Sequence, residues 1–165
     1  MIKNVFKTKW FNIDKIKYKK EYYFKINHNN AVLILGLTKD KKIILIKQYR
    51  PIRKKNTLEF PSGNIEKNES PLKAAKREFF EETGYVSKKW KLLGSGVLRL
   101  ERESSVNYFF LALDCYFLKH PSEKIKTKLI NRKNFKKLLK NNKVNQIAGY
   151  PLVVWAYLKS KIKLL

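Results

Sequence analysis

Eight of the thirteen acidic residues fall between positions 59 and 103, in a chain that carries 38 Lys and Arg; they are Glu59, Glu66, Glu69, Glu78, Glu81, Glu82, Glu101 and Glu103. Like charges packed this closely raise one another's pKa unless something positive sits between them. On a helix of about 3.6 residues per turn, Glu78 and Glu82 are one turn apart with Glu81 beside them, so all three carboxylates point to roughly one side. Hard divalent cations such as Mg2+ take carboxylate oxygens, keep several waters and bind a substrate's phosphates at the same time. The cluster therefore predicts a metal and phosphate site. The competing reading is a surface helix whose acids pair with Lys73, Lys76 and Arg77, each pair worth about 0.2–0.5 kcal/mol. The turn Pro61-Ser62-Gly63 just ahead of the helix weighs against it, because close approach of backbone to a ligand needs such a turn.

The flanking elements must hold that helix in place. Ser70 is the expected N-cap, Pro71 the first helical residue and Gly84 the stop, with Leu72, Ala75 and Phe79 as the apolar stripe, giving a helix over 71–83. Upstream, 31–37 and 43–46 read as two strands around the polar turn Lys39-Asp40, and 57–63 as a short strand ended by Pro61 and Gly63. Residues 22–26 have strand composition, and 3–14 read as a further strand. Downstream, 89–100 and 105–118 read as strands joined by the charged turn Glu101-Arg102-Glu103. A short strand over 125–130 leads to helices over 132–140 and 146–161. A β-rich start, a helix, more strands and closing helices suit an α/β sandwich with a mixed sheet.

At 165 residues with 44% hydrophobic and 13% aromatic content, the chain is expected to form a single globular domain over 1–165. The lone Cys115 sits in an apolar run, as a structural thiol suited to a reducing, cytoplasmic setting. Its apolar segments are too short to span a bilayer, so no membrane partner is expected. The net charge of +25 has two readings, a surface for nucleic acid or a compositional excess of lysine. Lysines spread along the whole chain favour the second.

The segment from Gly63 to Tyr85 resembles the Nudix hydrolase signature, G-x5-E-x7-R-E-U-x-E-E-x-G-U with U a bulky apolar residue. Gly63, Glu69, Arg77, Glu78, Phe79, Glu81, Glu82, Gly84 and Tyr85 fill every specified position. The resemblance implies an α/β/α sandwich with a central mixed sheet, binding Mg2+, with Mn2+ as the alternative ion, and hydrolysing a nucleoside diphosphate linked to another group. It implies Glu78 and Glu82 as principal metal ligands, Glu81 as a further ligand or its neighbour, and the Ser62 carbonyl as a backbone ligand. Glu69 and Arg77 match the pair that braces the loop against the helix.

Outside the signature, Gln48-Tyr49-Arg50-Pro51 and Leu58-Glu59-Phe60-Pro61-Ser62-Gly63 are similar to the stretch found in ADP-ribose and nucleoside-diphosphate-sugar pyrophosphatases. That similarity implies Arg50 near the substrate phosphates, where a surface ion pair is the alternative, and Glu59 completing the metal site. Where that group carries a Pro after its signature, this chain has Leu100. Glu101 or, preferred, Glu103 then contacts metal or orients substrate, with a solvated turn as the alternative. The general base is expected from the loop before the last strand, at Glu123, with His120 as a second candidate. Dimers are common in that group, so residues 1–30 are an expected β segment at a homodimer interface. Trp10 and Phe11 then stack on a nucleobase or, alternatively, belong to the core. The implied substrate is ADP-ribose or a related nucleoside diphosphate sugar. The alternatives are pyrophosphate removal from RNA 5′ ends or nucleoside triphosphates, and a non-catalytic nucleotide- or RNA-binding module.

Overall fold

A computed structural model describes residues 2–122 and 125–164. The chain opens with a three-stranded antiparallel sheet, β1 (Ile2–Lys7), β2 (Asn12–Tyr18) and β3 (Glu21–Asn27). The single strand expected over 3–14 is thus two. Thr8 breaks it: its hydroxyl accepts the Trp10 and Phe11 N–H groups, both at 3.0 Å, and folds the backbone into a turn.

The body is an eight-stranded mixed sheet of β4 (Ala31–Thr38), β5 (Ile43–Arg50), β6 (Lys55–Glu59), β7 (Ser62–Asn64), β8 (Tyr85–Val86), β9 (Lys89–Gly96), β10 (Asn107–Phe117) and β11 (Lys126–Ile130). Its central path runs β11-β5-β4-β10-β8, with β4 and β10 parallel and the remaining pairs antiparallel. The expected hairpin of β4 and β5 pairs directly only at Gly36–Leu37 with Ile43–Ile44. Beyond that point β7 takes over against Ala31–Leu33, which brings Ser62 and Gly63 into the sheet.

Strand alternation sorts the core into two layers. Leu33, Leu35, Leu37, Leu45, Phe109 and Leu111 pack beneath α2 (Arg132–Lys140) and α3 (Tyr150–Ser160) through Phe135, Leu152 and Ala156. Val32, Ile34, Ile44, Phe110 and Ala112 pack beneath α1 (Pro71–Thr83) through Ala74, Ala75 and Phe79. The result is the expected α/β/α sandwich. Strand β9 ends at Gly96 rather than 100, and α3 begins at Tyr150 rather than 146. The latter shift has a cause. Asn145 and Leu58 exchange hydrogen bonds, with the Asn145 N–H donating to the Leu58 carbonyl, and this holds the segment extended along β6 before the helix can start.

No helix among the described residues is long and apolar enough to cross a membrane.

Candidate active site

Helix α1 is bounded as its sequence predicts. The Ser70 hydroxyl accepts the Lys73 N–H, and Gly84 closes the helix at φ +73°, its N–H donating to the Phe80 carbonyl at 2.8 Å. Phe79 faces the sheet and is fully buried, so the register of the helix is set. That register carries Glu82 inward as well: it is 5% exposed, and its carboxylate accepts the Ser62 N–H at 2.8 Å. One turn earlier the Glu78 carboxylate lies against Gly63, where any Cβ would run into it. Glycine at 63 is required here by close approach rather than by backbone conformation. The two carboxylates thus meet the backbone of β7 at Ser62-Gly63.

Arg77 organises the rest. It donates to Glu69 twice, through Nε at 3.1 Å and Nη2 at 2.9 Å, and to the Asn64 carbonyl at 2.9 Å. Through Nη1 it also reaches Glu78 at 2.7 Å and Glu81 at 3.1 Å. Of the three cations weighed as partners for the acidic helix, Arg77 forms ion pairs with Glu69, Glu78 and Glu81. Its hydrogen bonds to Glu69 first, and to Glu78 and Glu81 next, hold its pKa above the ordinary arginine value, and the same bonds hold Glu69 below the usual carboxylate range. The geometry is that of a brace between loop and helix, extended onto two of the candidate ligands.

Among the described residues no three His, Cys, Asp or Glu side chains converge closely enough to hold an ion as they stand. Arg77 binds both Glu78 and Glu81, while Glu82 turns to the Ser62 N–H. The donor set nevertheless suits a hard cation: carboxylate oxygens gathered against the backbone of Ser62 and Gly63, where the glycine leaves room for close approach.

Glu59 lies three residues ahead of Ser62 at the end of β6 and is 5% exposed. Burial pushes its pKa up, but bonds from Arg50 at 2.6 and 3.0 Å, and from Thr57, outweigh it and leave the carboxyl below the usual range. Arg50 is therefore paired, with its side chain 44% exposed.

Gln146 went unrecognised in the sequence. Its Oε1 accepts the Phe60 N–H at 3.1 Å and its Nε2 donates to the Ser62 hydroxyl at 3.1 Å, so one side chain clamps both sides of Pro61. Nothing local signals this role, since 84 residues separate Gln146 from Ser62.

Glu103 is not in a solvated turn. Its side chain is 6% exposed and pairs with Arg99 at 2.6 Å and with His28 at 3.6 Å, tying the 99–103 loop to the end of β3, where the Ile26 N–H donates to the Arg102 carbonyl. Glu101 is exposed. Trp10 is 70% exposed, with Lys9 Nζ 4.4 Å from its ring, and Phe11 is 37% exposed against Phe6; neither joins the core. His120 packs on Phe117. Glu123 lies outside the described residues. Ser122 donates its N–H to the Glu81 carbonyl at 3.1 Å, which brings the 119–122 loop to the last turn of α1.

The chain is similar to several known proteins. The profile of the NUDIX domain matches residues 27–138. An ADP-ribose pyrophosphatase of Bacillus subtilis (strain 168) is 44% identical over 64 residues, 39% of this chain and 35% of the relative. The methanol dehydrogenase activator of Bacillus methanolicus is 42% identical over 60 residues, 36% and 32% of the two chains. An ADP-sugar pyrophosphatase of Mus musculus is 58% identical over 43 residues, 26% and 20%. These matches span about a third or less of each curated relative's length. The crystal structure of an ADP compounds hydrolase superposes with a TM-score of 0.82 at 21% identity, covering 98% of this chain and 93% of that one, which establishes a shared fold.

Proposed function

The chain belongs to the Nudix family, and from that premise we propose that it hydrolyses the diphosphate linkage of ADP-ribose or a related nucleoside diphosphate sugar, giving a nucleoside monophosphate and a sugar phosphate. The observation that carries the reading is the meeting of Glu78 and Glu82 with the Ser62-Gly63 backbone, which follows the Arg50-paired Glu59 at the end of β6. Glu78, Glu82 and the Ser62 carbonyl, with Glu81 beside them, are the proposed holders of a divalent cation, Mg2+ or Mn2+. Such an ion, when bound, neutralises charge on phosphate oxygens and acidifies water.

The protein's own groups then have separable tasks. Arg77 and Glu69 keep the 63–69 loop on the helix. Arg50, half exposed over a buried Glu59, presents guanidinium N–H groups toward a diphosphate while its charge is fixed in place. Glu59 completes the acidic wall behind Ser62. Glu123 is proposed as the general base. Cys115, buried and with its pKa pushed up to about 12, suits a reducing compartment, and the cytoplasm is proposed.

Purified protein with Mg2+ is expected to release AMP from ADP-ribose, read by chromatography of the products. No AMP from ADP-ribose, with turnover of another nucleoside diphosphate derivative, would overturn the substrate and leave the reaction class. The +25 charge favours one second reading, removal of pyrophosphate from RNA 5′ ends or nucleoside triphosphates. Turnover of 5′-triphosphorylated RNA with ADP-ribose untouched would decide for it.

A further inference from the structure

Lysines run the length of the chain, but acids do not: none follows Glu123, while residues 124–165 carry twelve Lys and Arg. The fold gathers part of that charge around one cleft. Its walls are Ile130 at the end of β11, Asn134, Lys137 and Leu138 of α2, and Asn141 and Lys143 just beyond, around a volume of about 420 Å³. Asn134, Lys137, Leu138 and Asn141 are spaced i, i+3, i+4 and i+7, so they line one side of the helix. Strand register brings further cations to the same side. Ile43, Leu45 and Ile130 belong to the core layer beneath α2, and β11 sets Ile130 opposite Ile43, Lys128 opposite Leu45 and Lys126 opposite Lys47. Opposite residues share a face and alternate residues return to it, so Lys47, Lys126 and Lys128 lie on the α2 side of the sheet. All five lysines are exposed, and among the described residues none of them has a carboxylate partner.

The cleft combines three chemistries: an apolar floor of Ile130 and Leu138, amides of Asn134 and Asn141 that both donate and accept, and a positive rim. An unpaired nucleotide has the matching parts, a flat base with donors and acceptors along its edge and a phosphate on either side. An anionic lipid surface matches less well. Arg132, Lys133, Lys136 and Lys140 face outward while Phe135 and Leu139 turn to the core, so α2 has no apolar side chain to insert between lipids. No part of a second copy of this chain would fill the cleft either, because none is an acidic segment. Glu81-Glu82 is the one adjacent pair of acids in the sequence and lies in the site on α1. The next nearest pair, Glu101 and Glu103, has Glu103 held between Arg99 and His28.

We propose that the cleft between α2 and β11 binds a single-stranded polynucleotide, with one base laid on Ile130 and Leu138, its edge toward Asn134 and Asn141, and neighbouring phosphates held by Lys126, Lys128, Lys137 and Lys143. The cleft belongs to the layer of α2 and α3 whereas the acidic site belongs to α1, and the inference does not rest on the hydrolytic reading.

The test is fluorescence anisotropy of a fluorescein-labelled single-stranded DNA oligonucleotide of mixed sequence with a 5′ hydroxyl. It is titrated with the full chain over a range of salt and without divalent cation, so that the acidic site repels it. Lys137→Gln with Lys143→Gln is expected to lower the slope of log affinity against log salt by about 1.4. Lys73→Gln with Lys76→Gln, the same loss of charge on exposed positions of α1, is expected to leave the slope where it was. Asn134→Ala with Asn141→Ala keeps every charge and is expected to weaken binding about 3- to 10-fold at an unchanged slope. Equal loss of slope in the two lysine variants overturns the proposal, because charge anywhere on the surface then holds the strand. Undiminished affinity in the asparagine variant overturns it as well, since no base then enters the cleft. Tighter binding of a polyglutamate peptide of equal charge, lost in the Lys137/Lys143 variant, overturns it in favour of an acidic protein segment.

Discussion

Two sheets in this chain use similar residues to opposite ends. In the body, β4, β5 and β10 alternate their apolar side chains between two helical layers, and residues such as Ile34, Leu35, Ile44 and Leu111 have no solvent exposure. In the three-stranded sheet, Phe6, Tyr22 and Phe24 alternate just as regularly, yet no layer covers them. The difference is length and closure. A three-stranded sheet without a helix on it is close to the limit of independent stability. This one is held by the Ile26 to Arg102 hydrogen bond and by Glu103 between Arg99 and His28. Apolar pattern alone therefore does not say which rings build the fold and which are left for contact.

The comparison breaks most readily at Phe79. Phe79→Ala is expected to cost about 3–5 kcal/mol, read by urea denaturation, because the ring is wholly buried between β4 and Trp90. Glu82→Gln keeps an acceptor for the Ser62 N–H but removes the charge. It is expected to lower kcat on the order of 10²–10³-fold with a melting temperature near that of the unaltered protein. Unchanged turnover would remove Glu82 from the metal site. Gln146→Ala is expected to raise the Mg2+ concentration for half-maximal rate about 10- to 100-fold, since the clamp on Phe60 and Ser62 is lost.

Acid probes the same body through Glu59. Its pKa in the folded chain lies below the ordinary 4.5, so the stabilisation it contributes is complete above that value and is lost as pH falls through the lower, folded value. Arg50→Ala removes its partner and is expected to flatten the loss of melting temperature between about pH 6 and pH 3. The smallest effect is expected in the other sheet. Phe24→Thr should change stability by no more than about 0.5 kcal/mol. A cost matching that of Phe79→Ala would mean that the face is covered in solution.

Much of the site was legible before any fold was known. Ser70, Pro71 and Gly84 bound α1 because capping chemistry is local, and Glu69 and Arg77 meet because the helix and the turn before it set their separation. Gly63 was legible as a close-approach glycine. Other features were hidden. The exposed Trp10 and Phe11 are indistinguishable in type from core aromatics, and the turn at Thr8 depends on one hydroxyl in a run that otherwise reads as strand. Glu103 sits in a charged turn yet its side chain is largely enclosed, because its neighbours Arg99 and His28 come from two parts of the chain.

The sequence by itself determined the acidic helix, its limits, the spacing of Glu78 and Glu82, and the Nudix family membership that follows from them. All of these rest on interactions within a few turns of chain. Tertiary structure decided the parallel pairing of β4 with β10, the hold of Gln146 on the Ser62 loop and the exposure of the β1–β3 face. Each depends on chain segments far apart in sequence, whose meeting is set by how two layers of helix close over one sheet and leave the other uncovered.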